Sequence, residues 1–348
     1  MKKKAALLLT VALTVTAALV GCGKSEDRVA QKPEEQKEET VKTEGALKTG
    51  LALMTSVENS AEPGEKDGAA QADISIAAVT VDADGKIVSC TIDAVQSVVN
   101  FNAEGKLTTD LSAEIPSKQE LGDDYGMRKA SSIQKEWNEQ ADAFAEYCIG
   151  KTVEEINGIA LTDKGAAADL ASSCTVYAGG FQAIVTKAAE NAVEGGAQAG
   201  DKLGLGIVTN IAKSAEAGEK EGLAQTYTTV TAVTVGADGK ITSAVIDAVQ
   251  ANVNFDAAGK ITTDLTAACP SKNELGEDYG MKDASSIGKE WNEQAAAYAA
   301  YAVGKTADEV NGTAVEEGVP TDADLASSVT LHIGDFNTVI TKAVNNAK

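Results

Sequence analysis

Twice in this 348-residue chain an aspartate leads into a run of hydroxyl residues at one spacing. Asp169-Leu170-Ala171-Ser172-Ser173-Cys174-Thr175 returns as Asp324-Leu325-Ala326-Ser327-Ser328-Val329-Thr330. Each threonine follows its aspartate by six residues and a serine by three. These segments read as an acidic loop entering a Ser/Thr-rich strand, with hydroxyls that both donate and accept hydrogen bonds. The plainer alternative is a polar turn whose hydroxyls satisfy nearby backbone groups. Two loops of the form D-Y-G-M place an aromatic beside a glycine, Tyr125-Gly126 and Tyr279-Gly280, where no periodic pattern calls for one. These aromatics are the candidates for facing a ligand.

Other chemistries are excluded or reduced to structure. The single histidine, His332, stands where the first copy has Tyr177, so a Ser-His-Asp or Cys-His site would leave that copy without a base. One histidine also rules out His-rich zinc or copper sites and paired axial haem ligands. No C-x-x-C or C-x-x-C-H occurs, which removes zinc ribbons, thioredoxin chemistry and c-type haem. Asp82-Ala83-Asp84-Gly85 resembles the start of a calcium loop, but its copy has Gly236 in place of Asp82 and no bidentate Glu follows. A hairpin turn is the better reading. Cys90, Cys148 and Cys174 face Ala244, Ala302 and Val329, and Cys269 faces Ile115, so no thiol is common to both copies. Cys90 and Cys148 sit in apolar patterns as small core residues.

The elements around these residues form one unit written twice. Tyr125, Trp137 and Gly85 meet Tyr279, Trp291 and Gly239 at a constant offset of 154, and one residue enters after Gly312. That period equals a whole domain rather than a solenoid repeat. Each unit is expected to open with a helix (Leu51–Val57; Leu205–Ile211) and continue into two strands around Asp84-Gly85 or Asp238-Gly239, a strong hairpin signal. A short strand follows each second turn (Lys106–Leu111; Lys260–Leu265). An amphipathic helix spans Ser131–Tyr147, with a Ser131-x-x-Gln134 capping box. Its apolar stripe is Ile133, Trp137, Ala141, Phe144 and Cys148, repeated as Ile287, Trp291, Ala295, Tyr298 and Ala302. Both tryptophans read as core. Each unit closes with a β-like run carrying the threonine, and four to five residues later a helix (Phe181–Ala192; Phe336–Ala347). The fold class is α+β: two tandem homologous domains, 46–193 and 200–348, each a hairpin-rich, mostly antiparallel sheet flanked by helices, joined by a linker at 194–199.

The N-terminus carries a signal of another kind. Lys2-Lys3-Lys4 precedes an apolar run from Ala5 to Val20 that ends in Leu19-Val20-Gly21-Cys22. The run is too short to span a bilayer, which needs roughly 20 residues, and it has the three parts of a secretory signal. L-V-G-C resembles a bacterial lipobox, which makes 1–22 a lipoprotein signal and Cys22 the lipidated residue. Two acyl chains on Cys22 would suffice for stable anchoring. Residues 23–45 are charged and almost free of apolar side chains, and are expected to form a disordered acidic tether. Formal net charge is −22, and loss of Lys2, Lys3 and Lys4 with the signal takes it to about −25. A chain so acidic lacks the clustered Lys and Arg that nucleic acid requires.

In its order of parts, the chain resembles the FMN-binding domain family of exported flavoproteins. The carrying features are a hairpin region, a glycine loop, a helix ending in Gly150-Lys151 or Gly304-Lys305, the D-x-x-S-S-x-T motif and a closing helix. Ser173 and Ser328 stand where that family has glycine. The tandem, lipid-anchored form is similar to the flavinylated lipoproteins of Gram-positive extracellular electron transfer. The resemblance implies FMN esterified through its phosphate to Thr175 and to Thr330, two per chain. Asp169, Ser172, Ser173, Asp324, Ser327, Ser328, Tyr125, Gly126, Tyr279 and Gly280 are the accompanying site residues. It also implies a separate flavin transferase with FAD as donor and Mg²⁺ as its metal, a membrane quinol or NADH dehydrogenase as electron donor, and ferric iron or other external acceptors. The chain itself would be an electron carrier rather than an enzyme, on the outer face of the cytoplasmic membrane. The alternative is a flavin-free surface binding lipoprotein that has kept the fold.

Overall fold

A computed structural model describes residues 45–348 of the chain. The leader, Cys22 and the tether up to residue 44 lie outside the described residues. Three antiparallel strands build each repeat: β1 (Ala46–Ser56), β2 (Gly68–Val81) and β3 (Ile87–Phe101) in the first. After β4 (Val193–Gln198), the second repeat has β5 (Lys202–Asn210), β6 (Gly222–Val235) and β7 (Ile241–Phe255). The Asp-Gly turns sit where the sequence places them, with Gly85 and Gly239 both at φ +77, a conformation glycine adopts without steric cost. Sheet order is β3-β2-β1-β4 in one sheet and β5-β6-β7 in the other, with a small hairpin of β8 (Val315–Glu316) and β9 (Val319–Pro320). The helices of the first repeat are α1 (Lys118–Leu121), α2 (Trp137–Cys148), α3 (Val153–Asn157) and α4 (Ala178–Glu190). Those of the second are α5 (Lys272–Leu275), α6 (Trp291–Ala302), α7 (Ala307–Asn311), α8 (Ala323–Ala326) and α9 (Gly334–Asn345). The architecture is the expected α+β with antiparallel sheets flanked by helices.

Several expected elements differ. Leu51–Val57 and Leu205–Ile211 are not helical; they belong to β1 and β5 or follow directly on them. Leu51 and Leu53 point into the space between the sheets, while Gly50 and Ala52 face α4. A Cβ on Gly50 would run into the Ala188 carbonyl. With both faces buried, the strand loses its alternation and reads as a continuous apolar run, which periodicity alone cannot separate from a helix. The short strands expected at Lys106–Leu111 and Lys260–Leu265 reduce to single bridges, Phe101 to Leu107 and Phe255 to Ile261. The amphipathic helices start at Trp137 and Trp291, not at Ser131. Gln134 at φ +55 and Gly288 at φ +62 break the chain before them, and the N-cap residue is Glu136 or Glu290. The segment expected as a linker, 194–199, is largely strand β4, which pairs with β1 and lies against Thr242 and Ser243 of β7 through Gly195 and Gly196.

Helices cover the outer face of each sheet, and the inner faces meet. Trp137, Ala141, Phe144 and Cys148 of α2 bury against Val79, Ile92 and Ala94, and the second repeat copies this with Trp291, Ala295, Tyr298 and Ala302. Between the sheets, Leu51, Leu53, Ile74 and Ile76 meet Leu203, Leu205, Ile207 and Val230. Phe101 and Phe255 stack at 4.2 Å and 9°. Contacts across this interface come in reciprocal pairs. Lys187 of α4 binds Glu274 at 2.6 Å, and Lys342 of α9 binds Glu120 at 2.5 Å. Such reciprocity is the mark of an isologous interface; here one chain supplies both halves, related by a pseudo-two-fold axis.

Candidate functional site

Each hydroxyl loop is organised by a glutamine. Gln140 lies on the buried face of α2, beside Trp137 and Ala141, and is fully buried. Its Oε1 accepts the Thr175 amide at 2.8 Å, the Val176 amide at 3.2 Å and the Thr175 hydroxyl at 3.1 Å. Its Nε2 donates to the Ser131 hydroxyl at 3.2 Å and to the Lys135 carbonyl at 3.0 Å. In the second repeat Gln294 holds Thr330 at 2.8 Å through the amide and 3.2 Å through the hydroxyl, and donates to Ser285 and Lys289. Both amide functions of the side chain are thus used, as burial demands. Four residues N-terminal, the buried Glu136 accepts the Met127 and Arg128 amides at 2.7 and 2.8 Å, and Glu290 accepts those of Met281 and Lys282 at 2.9 Å each. The glycine loop and the threonine loop are thereby fastened to the same helix end.

Neither threonine segment is a strand. Two residues separate Thr175 from α4, the second of them Tyr177 as N-cap, and three separate Thr330 from α9. The helices start earlier than the sequence suggests, because Ala178 donates to the Gly165 carbonyl at 2.7 Å and Ile333 to that of Gly318 at 2.9 Å, anchoring each helix start. The ring of Tyr177 lies against Gly165 and Gly179, and His332 lies against Gly318. Tyr177 is 66% exposed, the most open of the large apolar side chains in this loop.

A cleft of about 720 Å³ opens beside the Thr175 hydroxyl, lined among others by Met127, Ser131, Ser132, Lys164, Thr175 and Val176. That volume falls within the ordinary range for small-molecule sites. Thr175 is half-buried and its hydroxyl bonds only Gln140 among the described residues. The wall therefore supplies one threonine oxygen with accepting capacity to spare, two serine hydroxyls, a thioether, and an ammonium whose charge the neighbouring Asp163 carboxylate offsets. These groups fit a phosphate ester on Thr175 that carries an apolar ring system. In the second repeat the turn reads Glu316-Glu317-Gly318, so Glu317 precedes the glycine where Lys164 precedes Gly165. The first site has the better charge for a phosphate.

The remaining expected site residues are distributed as follows. Asp169 accepts the Tyr147 hydroxyl at 2.8 Å, which together with slight burial raises the phenol's pKa. In the second repeat Tyr301 meets Thr313 at 3.2 Å instead, and Asp324 is exposed in α8. Ser173 and Ser327 bond the carbonyls of Leu170 and Asp324, as in a polar turn, while Ser172 is exposed and the Ser328 amide closes the turn on Leu325. Tyr125 and Gly126 do not line the cleft; the residue after them, Met127, does. Tyr125 lies under the Lys118 ammonium at 4.6 Å, and Gly126 provides the left-handed turn after it. Tyr279 is one wall of a cage around Lys272, with Tyr227 and Trp291, at 4.4, 4.7 and 4.8 Å. Lys272 is 4% exposed, and desolvation lowers its pKa to about 7. The Gly-Lys pairs at the helix ends serve as caps: Gly150 and Gly304 take positive φ, and Lys151 and Lys305 bond the Tyr147 and Tyr301 carbonyls at 2.6 Å.

Sequence reasoning missed Gln140, Gln294, Glu136 and Glu290. A signal for them existed: K-E-W-N-E-Q occurs unchanged in both copies, and Gln140 falls at i+3 on the apolar stripe that starts at Trp137. Among the described residues no group of His, Cys, Asp or Glu is placed to hold a metal ion, and no helix is long and apolar enough to cross a membrane. Comparison of the chain with family models, curated proteins and solved structures gave no match.

Proposed function

We propose that the protein is a membrane-anchored extracellular electron carrier with FMN joined by a phosphoester to Thr175 and to Thr330. The observation that carries this reading is the duplicated presentation of a threonine hydroxyl by a fully buried glutamine, with a cleft of ligand size beside Thr175. When bound, the flavin supplies the redox chemistry, and the protein supplies attachment and orientation. In the first repeat Gln140 holds the Thr175 and Val176 amides, and holds the Thr175 hydroxyl until that oxygen is esterified. Lys164 offers an ammonium on the cleft wall beside the Asp163 carboxylate, Ser131 and Ser132 offer hydroxyls, and Met127 gives an apolar contact for a ring. Attachment would be the work of an FAD-dependent, Mg²⁺-requiring transferase. Electrons would come from a membrane quinol or NADH dehydrogenase and leave to ferric iron or soluble acceptors. Cys22 would hold the chain to the membrane through its lipid.

The test is co-expression of the chain with a flavin transferase, followed by intact mass and in-gel flavin fluorescence under denaturing conditions. Two denaturation-resistant flavins are expected, one lost in Thr175→Val, one in Thr330→Val and both in the double variant. With Asp163-Lys164 in the first turn against Glu316-Glu317 in the second, Thr175 should be the position filled first. Absence of flavin beside an active transferase rejects the carrier and leaves a flavin-free binding lipoprotein.

A further inference from the structure

The four described cysteines are free thiols, and two of them are related in a way the functional site does not use. Cys90 and Cys148 both become alanine in the second repeat, as Ala244 and Ala302. The surrounding frame is otherwise closely repeated, so two positions change together between copies. They also share a place in the fold. Cys90 points from β3 to the helix-covered face of the sheet, as Ile92 and Ala94 do, and Cys148 is the last residue of the α2 stripe that covers that face. Backbone bonds stitch the two elements together next to these residues. Gly150 donates to the Ile87 carbonyl at 2.8 Å, and Ile87 donates to that of Lys151 at 2.9 Å. The thiolate of Cys90 is disfavoured first by burial and then by charge on Cys148.

We propose that Cys90 and Cys148 are a disulfide pair, closed as the chain folds outside the cell, that clamps α2 to β3 in the first repeat only. The oxidant class is a small-molecule disulfide. The thiolate of one cysteine attacks it and forms a mixed disulfide, releasing one small thiol. The second cysteine's thiolate then attacks the protein sulfur of that mixed disulfide, forms the Cys90–Cys148 bond and releases the second small thiol. Two protein thiols are oxidised, one small disulfide is reduced to two thiols, and the protons lost by the cysteines are taken up by the released thiolates. Burial decides when this happens. In the folded chain desolvation pushes Cys148 up to about 12, so at pH 8 its thiolate fraction is about 10⁻⁴, against roughly a quarter for an ordinary cysteine. Cys148 is also fully buried in the folded chain, out of reach of a dissolved disulfide, so the bond closes as α2 docks on β3 and is shielded from exchange afterwards. It fixes the helix that carries Gln140, and with it the Thr175 loop.

The test refolds the full chain from denaturant in glutathione disulfide with glutathione, traps free thiols with an alkylating reagent and maps the peptides without reduction. Cys22 is read on its own peptide. A Cys90–Cys148 cross-linked peptide with Cys174 and Cys269 alkylated is the expected product. Protein folded first under reducing conditions and then given the same mixture should form at least tenfold less in the same time. A Cys90→Ala/Cys148→Ala variant carries the residues of the second repeat, so it should fold and give no cross-link. Alkylation of both Cys90 and Cys148 after oxidative refolding, or a bond from either to Cys174 or Cys269, overturns the pairing. Equal cross-linking in the prefolded sample overturns the protection by burial.

Discussion

Replacing Gln140 with leucine keeps the volume on the buried face of α2 and deletes five hydrogen bonds at once. Three end on its carbonyl oxygen, from the Thr175 and Val176 amides and the Thr175 hydroxyl, and two leave its nitrogen for Ser131 and the Lys135 carbonyl. The hydroxyls can turn to solvent. The two amides and the Lys135 carbonyl cannot all do so without moving the loop, at about 1–3 kcal/mol for each group left unpaired. Burying leucine in place of an amide returns about 1–2 kcal/mol. With all three unpaired the expected net loss is about 1–8 kcal/mol in urea unfolding. Amide hydrogen exchange gives the sharper readout: Thr175 and Val176 should lose protection while Thr330 keeps it. Gln140→Glu retains an acceptor for both amides but loses both donors, so it should preserve the protection at Thr175 and Val176 while still lowering stability. A Gln140→Leu protein within about 0.5 kcal/mol of the parent, with unchanged exchange at Thr175 and Val176, would refute the claim that this side chain presents the hydroxyl.

Two further perturbations probe the frame. Phe101→Ala removes one ring of the stack that joins the sheets and should cost about 3–5 kcal/mol; a double-mutant cycle with Phe255→Ala should show a coupling of about 1 kcal/mol, read from urea midpoints. Lys272 has a folded pKa near 7, below its ordinary 10.5, so between those values the unfolded chain binds more protons and stability should rise with pH. In Lys272→Met the rise in urea midpoint from pH 7 to 10 should flatten, and an unchanged slope would contradict the burial of a neutral amine.

The parts of the fold that were legible in the sequence rest on chemistry local to a few residues. Asp84-Gly85 and Asp238-Gly239 demand a positive-φ turn, and the stripe from Ile133 to Cys148 demands one buried helix face; the turns are where the sequence places them, and so is the stripe from Trp137 on, with Ile133 ahead of the helix. β1 was illegible because burial on two sides erases the alternation that marks a strand. Leu51 and Leu53 contact the second sheet, and nothing near them in sequence announces that partner. The helix start at Trp137 was hidden by a competing cap: Ser131-x-x-Gln134 has the residues of a capping box, but Gln134 takes a left-handed conformation and Glu136 caps instead. At the candidate site the duplicated D-x-x-S-S-x-T spacing marks Thr175 and Thr330 as the candidates. The residues that hold them were passed over because a glutamine within an apolar stripe looks like an interruption. The inverse holds: a polar side chain repeated at one helical position on a buried face has its hydrogen-bonding partners inside the protein.

The pseudo-two-fold frame bears on how two such sites would work together. Gln140 and Gln294 belong to helices on opposite outer faces of the double sheet. Sheets about 10 Å apart, with a helix layer about 10 Å thick on each side, put roughly 30 Å between the outer surfaces. Groups attached to Thr175 and Thr330 would therefore face solvent on separate sides, each with its own approach for donor and acceptor. They would behave as two stations rather than as a coupled pair. Their potentials need not match, since the turn near Thr175 carries Asp163 and Lys164 while the corresponding turn of the second repeat carries Glu316 and Glu317. On this reasoning Thr175→Val and Thr330→Val each remove one redox transition and leave the other where it was in the parent. A shift of the surviving midpoint by more than about 30 mV, or 1.4 kcal/mol for a two-electron couple, would show that the sites sense one another through the shared core.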